Sequence, residues 1–166
     1  MIGDRWSVYW DNYMSNSYTY GTTVQFNSVD SVEFSNALMP AGEIIKKWYS
    51  KTNYQAHKIE PSLPIIDGEG CYELETDISM DVNEGVFVRL VFFNKYDIEV
   101  GHITVRDKAK RFRCPLATHK YEIHLVNAGA KKITFHSITI REVEDEPKEH
   151  DKESKKKTKK GKRTSR

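Results

Sequence analysis

The stretch CYELETDISMDV, residues 71–82, constrains the fold more than any other part of the chain. Two sets of side chains alternate along it: Tyr72, Leu74, Thr76, Ile78 and Met80 in one set, and Cys71, Glu73, Glu75, Ser79 and Asp81 in the other. A period of two places successive side chains on opposite faces of a strand. The stretch therefore predicts an antiparallel strand with one apolar, buried face and one mostly acidic, solvated face.

Other segments repeat the strand pattern. The run GVFVRLVFFN, residues 85–94, is apolar on both faces except at Arg89, which is typical of a central strand. The shorter segments EVGHITVRD, KRFRCP, KYEIHLVN and KKITFHSITIRE follow, separated by Gly, Pro, Asn or charged pairs. Helical periodicity is weak, and only AGEIIKKWY, residues 41–49, is compatible with a short helix. We therefore expect an all-β fold, an antiparallel β-sandwich of the jelly-roll type.

The last predicted strand pair leaves two arrangements open. Tyr121, Ile123 and Leu125 alternate with polar residues, a glycine-containing turn follows, and Ile133 and Phe135 resume the alternation. In a hairpin, the two segments would lie side by side in one sheet. If the turn crosses between sheets, they would face each other through the core. The pattern fits both arrangements.

Charge divides the chain into two parts. Residues 144–166 carry ten Lys/Arg and six Asp/Glu, a net charge of +4, whereas residues 1–143 carry 16 and 18, a net charge of −2. The final stretch SKKKTKKGKRTSR has eight basic side chains and no apolar one, so burial cannot offset the entropy lost on ordering it. We predict one domain at 1–143 and a disordered basic tail at 144–166.

The cysteines and the apolar runs indicate the compartment. Cys71 and Cys114 are the only cysteines, and the N-terminus lacks the basic and apolar regions of a secretory signal. The longest apolar run is far shorter than the ~20 residues that a membrane-spanning helix needs. We expect a cytoplasmic protein with two reduced thiols that does not itself cross a membrane.

The sequence gives no indication of catalysis. It lacks a nucleophile elbow, a zinc-protease motif, a phosphate-binding glycine loop and a CxxC pair. The most suggestive metal-binding types are Glu122, His124 and His136, which a hairpin would place on one sheet face, but two histidines on adjacent strands are more often a solvent-exposed pair. We therefore expect a protein that is not an enzyme and has no catalytic residues, no cofactor and no metal.

Aromatic residues cluster in two places, and each cluster has two interpretations. The first holds Trp6, Tyr9, Trp10, Tyr13, Tyr18 and Tyr20, and the second holds Trp48, Tyr49, Asn53, Tyr54 and Gln55. Such rings either pack in the core and at its edges or form a binding face. The second cluster mixes rings with amides, so we predict that its five residues bind a partner or a glycan. Strand alternation puts Trp48 and Tyr49 on opposite faces, and we expect Trp48→Ala to disturb folding and Tyr54→Ala to weaken binding.

The chain resembles a known family through six motifs. YWDNY, YTYG, FSNALMPAG, WYSKTNYQ, PSLPII and LVNAGAKKITFHSI occur in this order and carry a likeness that spans Val8 to Arg141. In them the chain resembles the third accessory secretory protein of the accessory Sec system of streptococci, staphylococci and lactobacilli. Ala37 and Ala41 stand where the family motif usually has proline and serine.

The resemblance implies a fold and a function. The implied fold is that of a carbohydrate-binding module. The implied function is non-enzymatic help in exporting glycosylated serine-rich adhesins from the cytosolic face of the membrane, with the translocase. The implied partners are two sister accessory proteins, one glycosyltransferase-like and one hydrolase-like, together with the accessory SecA and the adhesin itself.

Two other functions stay open at this point. A free-standing carbohydrate-binding module would bind glycan without the sister proteins. A protein that acts through its basic tail would bind an anionic membrane surface or nucleic acid, and each basic residue contributes up to ~1 kcal/mol near an acidic membrane. We favour the export component and expect no specific nucleic-acid partner.

Overall fold

The structure, a computed structural model, describes residues 5–10, 17–18, 20–50 and 63–144. The regular elements of this part are all strands: β1 (Arg5–Val8), β2 (Thr23–Ser28), β3 (Ser31–Ser35), β4 (Ile44–Tyr49), β5 (Cys71–Met80), β6 (Val86–Phe93), β7 (Glu99–Val105), β8 (Ala109–Arg113), β9 (Lys120–Asn127) and β10 (Lys132–Glu142). Among the described residues there is no apolar helix of membrane-spanning length.

The strands form two antiparallel sheets. Sheet A has the order β2-β3-β10-β5-β8, and β1 pairs with β10 over Ile138–Arg141, beyond the part of β10 that pairs with β3. Sheet B has the order β4-β9-β6-β7. Aromatic side chains of the two sheets meet between them, with ring centroids 5.3 Å apart for Trp48 and Phe135 and 6.0 Å apart for Phe92 and Phe112. The predicted all-β antiparallel sandwich is therefore confirmed.

The two strands that the sequence predicted most clearly are present. In β5, Tyr72 and Leu74 are buried, whereas Asp77 and Ser79 are exposed. In β6, which lies between β9 and β7, burial reaches both faces: the inner residues are buried, and on the outer face Val91 is buried as well. The period of two and the continuous apolar run thus distinguish a half-solvated strand from a central one.

The short helix considered for residues 41–49 is not formed. This segment contains β4, the edge strand of sheet B, which pairs with β9 in a register that places Trp48 opposite Ile123. Its isoleucines and aromatic rings have strand propensity and gain cross-strand packing against β9. This tertiary contact outweighs the weak helical pattern.

The turn after β9 crosses between the sheets. β9 lies in sheet B and β10 in sheet A, so Ile133 faces the β9 side chains through the core and the hairpin arrangement is not the one formed. Buried Asn127 holds the turn: its amide nitrogen donates to the carbonyls of Met39 and Pro40 at 3.2 Å, and its amide oxygen accepts from Gly129 N–H. Gly129 has a φ of 122°, which explains the glycine at this position.

Cys71 and Cys114 are not joined in a disulfide; Cys71 is half-buried and Cys114 is buried. The end of the predicted domain is anchored because Val143 N–H donates to the Cys71 carbonyl at 3.0 Å. Beyond Glu144, the predicted disordered tail lies outside the described residues. The boundary at 143/144 therefore stays a prediction.

Candidate partner-binding site

The structure separates the two neighbouring rings of the second aromatic cluster. Trp48 is fully buried, stacks on Phe135 at 5.3 Å and meets Trp10 edge-on at 6.3 Å. Its indole N–H donates to the Tyr9 carbonyl at 3.0 Å. Because a fully buried ring cannot touch a partner, including Trp48 among the binding residues was wrong. Its position agrees with the expected role of Trp48 in folding.

A buried lysine accompanies this ring cluster. Lys46 is fully buried, and its Nζ lies 5.1 Å from the Trp10 ring centre, 5.7 Å from the Trp48 ring centre and 3.2 Å from the Ser17 hydroxyl. A bulge between Ile44 and Lys46 shifts the alternation of the strand here. Cation–π contact with two rings stabilises the edge strand. Lys46 and Trp48 are two residues apart, a spacing that places their side chains on one face of the strand. The burial of Lys46 could have been inferred from this spacing but is not among the sequence predictions.

Tyr49 points away from the core. It pairs with Glu122, and Lys47 pairs with His124, so these four side chains share the outer face of sheet B. Burial raises the pKa of the Tyr49 hydroxyl, and the nearby Glu122 carboxylate adds to the shift. His124 Nε2 lies 2.9 Å from a Glu122 carboxylate oxygen. Tyr49 is therefore a half-buried ring within a charged environment.

We name this surface the aromatic–cationic face. It comprises Ile44, Lys47 and Tyr49 of β4, Glu122, His124 and Val126 of β9, Phe87, Arg89, Val91 and Phe93 of β6, and His102 and Thr104 of β7, with Arg106 and Lys120 beside it. Its floor is apolar: Val91 and Val126 are 5% and 1% exposed but do not belong to the core cluster. They are covered on the outer side of the sheet.

Cationic side chains lie over the rings of this face. The guanidinium carbons of Arg106 and Arg89 are 4.5 and 5.5 Å from the Phe87 ring centre, and Lys120 Nζ is 5.6 Å from that of Phe93. Each such contact contributes about 0.5–1 kcal/mol at an exposed site. Long side chains laid along apolar surface in this way keep their charged heads in water. Aromatic rings and arginines over an apolar floor are the composition that protein interfaces favour.

The remaining three candidate residues, Asn53, Tyr54 and Gln55, lie outside the described residues. The flanking chain is anchored close to Tyr49. Ser50 N–H donates to the Tyr121 carbonyl at 3.1 Å, and Leu63 N–H donates to the Tyr49 carbonyl at 3.2 Å. Residues 51–62 therefore leave and rejoin the described part of the chain beside Tyr49.

A second surface feature involves Trp6, which is 51% exposed. It borders a groove of about 350 Å³ lined by Arg5, Trp6, Pro64, Ile65, Ile66, Asp67, Tyr72, Ile140 and Glu142. A flat ring beside two carboxylates and a guanidinium has the chemistry to stack on a sugar and bind its hydroxyls. In the sequence, Trp6 lies in one aromatic cluster with Trp10, which is 4% exposed, and no pattern separates the two rings.

Comparison with known proteins shows the family. Residues 17–142 match the family described as accessory Sec secretory system ASP3. The accessory Sec system protein of this name from Streptococcus gordonii is 35% identical over 130 residues, which cover 78% of this chain and 82% of that protein. Its counterpart from Staphylococcus aureus (strain NCTC 8325 / PS 47) is 28% identical over 136 residues, which cover 82% of this chain and 42% of that protein.

The chain belongs to the ASP3 family. A solved relative, in a crystal structure of accessory secretory proteins 1, 2 and 3 of Streptococcus pneumoniae, aligns with a TM-score of 0.79 at 32% identity, covering 87% of this chain and 100% of that one. A chain of the Glycosylation Associate Protein (Gap123) complex from Streptococcus agalactiae aligns with a TM-score of 0.79 at 34% identity, covering 89% of this chain and 49% of that one. The predicted resemblance is confirmed.

The three residues considered as metal ligands do not converge in this ASP3-family chain. Glu122 and His124 lie in sheet B, whereas His136 lies in sheet A, where its Nδ1–H donates to the Asp30 carbonyl at 2.8 Å. No group of three His, Cys, Asp or Glu side chains in the described part of the chain is placed to hold a metal ion. The absence of catalysis stays a prediction.

Proposed function

We propose that this chain is a non-catalytic component of the accessory Sec export machinery and assembles with two sister accessory proteins. The observation that carries the proposal is the alignment, over 87% of this chain, with a member of a structure containing accessory secretory proteins 1, 2 and 3. Because this chain has the family and the fold of that relative, we expect it to assemble with accessory secretory proteins of the same kind.

We assign the aromatic–cationic face to the sister proteins. Its half-buried rings, with Tyr49 at the edge strand, supply anchors for a partner surface, and Lys47, Arg89 and Arg106 favour acidic groups opposite them. Asn53, Tyr54 and Gln55 extend the proposed interface, since the chain leaves and rejoins the described part beside Tyr49. An interface anchor of this type contributes about 2 kcal/mol or more of binding.

The finer parts of the function are proposals that the family resemblance supports. The assembled proteins would act with the accessory SecA at the cytosolic face of the membrane and assist export of glycosylated serine-rich adhesins. The basic tail would add contact with acidic lipid, because eight of its last 13 residues are basic and none is acidic.

Reconstitution with the two sister proteins of the same organism tests the proposal. The three chains should co-elute in size-exclusion chromatography, and Tyr49→Ala and Tyr54→Ala should each weaken assembly tenfold or more while leaving the unfolding temperature nearly unchanged. Truncation after Val143 should preserve assembly and reduce binding to acidic vesicles. Failure to recover the sister proteins would refute the proposal, and loss of assembly on truncation would show that the interface lies in the tail.

A second candidate function is glycan binding by the isolated chain, which the half-exposed Trp6 ring and its carboxylate neighbours favour. Sugar stacking would change the tryptophan fluorescence of the chain in a saturable way, and Trp6→Ala would abolish the change. A titration without any change in the unaltered chain at millimolar sugar would exclude this function.

A further inference from the structure

Strand β5 is paired along only half of one edge. On that side β8 pairs with Cys71–Glu75, and the pairing ends with Thr76 N–H donating to the Lys108 carbonyl at 2.8 Å. On the other side β10 accompanies β5 as far as Met80. Within the described ranges, no strand continues the line of β8 beside residues 77–80.

Main-chain groups point into this gap. Successive residues of a strand direct their N–H and C=O groups to opposite sides, so Ile78 and Met80 point the same way as Thr76. Asp77 and Ser79 point towards β10. Two N–H donors and two C=O acceptors of β5 therefore line an edge where another strand could pair.

The gap opens into a space between the two sheets. This lateral cleft has a volume of about 520 Å³ and is lined by residues 76–80, 83–84, 86–88 and 105–108. Its apolar residues include Ile78, Met80, Val86, Val88 and Val105, of which Ile78 and Met80 are only partly buried. The cleft thus combines an open strand edge with incompletely covered core side chains.

Composition and anchoring argue against the C-terminal segment and residues 51–62 as occupants of the cleft. Among the 22 residues beyond Glu144, Pro147 has the only apolar side chain, which is too little to cover the floor. Residues 51–62 leave and rejoin the described chain at Ser50 and Leu63, beside β4, which is the opposite edge of sheet B from β7. An occupant from another molecule is the better fit.

We propose that an extended segment of a sister accessory protein binds in the lateral cleft as an added strand, antiparallel to β5 and in line with β8. Main-chain hydrogen bonds would hold it, and its alternate apolar side chains would cover Ile78 and Met80. The cleft adjoins the aromatic–cationic face, because Phe87 and Arg106 belong to both. The inference rests on the proposed function, since it takes the sister protein as the partner.

Amide hydrogen exchange, measured on the full chain alone and in complex with both sister proteins, tests the inference. In the isolated chain the Ile78 and Met80 amides should exchange quickly, whereas the Asp77 and Ser79 amides, paired with β10, should be protected. In the complex, exchange at Ile78 and Met80 should slow at least about a hundredfold, as for amides newly placed in a ladder. Asp77 and Ser79 serve as internal controls.

A matched pair of variants adds an affinity measurement. Ile78→Pro removes an N–H that points into the cleft, a position where an edge strand tolerates proline, whereas Ile78→Ala truncates the side chain and keeps the donor. Assembly should weaken roughly tenfold more for Ile78→Pro than for Ile78→Ala. If Ile78→Pro fails to fold, the exchange measurement on the unaltered chain still decides.

The outcomes separate the inference from the function. A complex that forms while the Ile78 and Met80 amides still exchange quickly would overturn the added strand and leave the proposed function standing. No complex at all would overturn both. Protection of these amides in the isolated chain would also overturn the inference. If that protection disappears on dilution, a second copy of the chain fills the cleft. If it persists on dilution, a segment of the same chain fills it.

Discussion

The two outer faces of the sandwich use their charges in different ways. On sheet A, the Glu73 carboxylate accepts from Arg141 and, at 3.3 Å, from Arg111, so opposite charges on the face are paired with each other. On sheet B, Lys120 and His124 have carboxylate partners in Asp97 and Glu122, but Arg89 and Arg106 lie over the Phe87 ring. We call the outer face of sheet A the polar face; it comprises Cys71, Glu73, Glu75, Asp77, Ser79, Ser137, Thr139 and Arg141, among others.

The outer face of sheet B is better suited to a partner than the outer face of sheet A. A partner on the polar face would remove water from hydroxyls and from charged groups that are already paired, and this contributes little binding free energy. Covering the aromatic–cationic face would bury rings and leave the edges of the guanidinium groups free to meet acidic groups. The contrast therefore supports the proposal that the sister proteins bind the outer face of sheet B and that the outer face of sheet A stays in solvent.

The largest expected change is a loss of stability at Trp48, on the core side of the strand that carries Tyr49. Trp48→Ala should lower the free energy of unfolding by about 3–5 kcal/mol, because it leaves a cavity among Trp10, Phe135 and Lys46. Urea unfolding measures this loss. Tyr49→Ala, one residue along the same strand, is the control and should change stability far less. Equal losses would mean that the inner and outer faces of β4 contribute equally to the stability of the fold.

The next largest expected change is in the affinity for the sister proteins, which should differ between the two faces. Phe87→Ala should weaken assembly with the sister proteins by about 2 kcal/mol, roughly thirtyfold, because it removes the ring under two guanidinium groups. Ser137→Ala on the polar face, away from the lateral cleft, should change affinity by less than about 0.5 kcal/mol. Isothermal titration calorimetry compares them. A larger loss for Ser137→Ala would reverse the assignment of the faces.

A smaller effect should appear in the acid stability of the polar face. The hydrogen bond from Arg141, with help from Arg111, lowers the pKa of Glu73 below its ordinary value of 4.5. A lowered folded-state pKa stabilises the protein above the unfolded pKa, and this stability is lost as pH falls through the folded value. At pH 7, Glu73→Gln should therefore be about 1 kcal/mol less stable.

That difference should shrink as pH falls below 4.5, the ordinary value, and through the lowered pKa of Glu73. Thermal unfolding of both proteins from pH 7 to pH 2 measures the convergence. A difference that stays constant down to the lowest pH would mean that the Glu73 charge does not support the polar face.

Assembly with the sister proteins should leave the alkylation rate of Cys71 unchanged. Cys71 lies on the polar face and is half-buried, so its alkylation rate should be the same in the free chain and in the complex. Cys114 is buried, and burial raises the pKa of its thiol, so it should react more slowly in both states. Protection of Cys71 on assembly would place a partner on sheet A.

Much of the fold could be predicted because period-two patterns are local. The alternation from Tyr72 to Met80 predicted a half-solvated strand, and the same rule put Trp48 and Tyr49 on opposite faces. The burial of Trp48 could not be predicted in this way, because alternation separates two faces without telling which one is inside. The bulge before Lys46 and the crossing turn after Asn127 depend on tertiary contacts, and the local pattern fitted either alternative.

The site was less accessible to sequence reasoning. The aromatic–cationic face brings together β4, β6, β7 and β9, which are adjacent in space and far apart in sequence. In the sequence, Phe87 and Arg89 belong to the pattern of a buried central strand, which gives no sign of a binding face. Trp6 and Trp10 look alike in the sequence, and only the position of β1 at the margin of sheet A distinguishes an exposed ring from a core ring.

Hydroxyl-radical footprinting of the chain, alone and bound to its two sister proteins, would show directly which face the partner covers. It reports the solvent access of side chains on both faces in one experiment, through Tyr49, Phe87 and Phe93 on sheet B and Cys71 and His136 on sheet A. We predict that oxidation of the three rings falls several-fold on assembly while that of Cys71 and His136 stays unchanged. Protection of Cys71 and His136 with undiminished oxidation of the rings would contradict the assignment of the partner to the aromatic–cationic face.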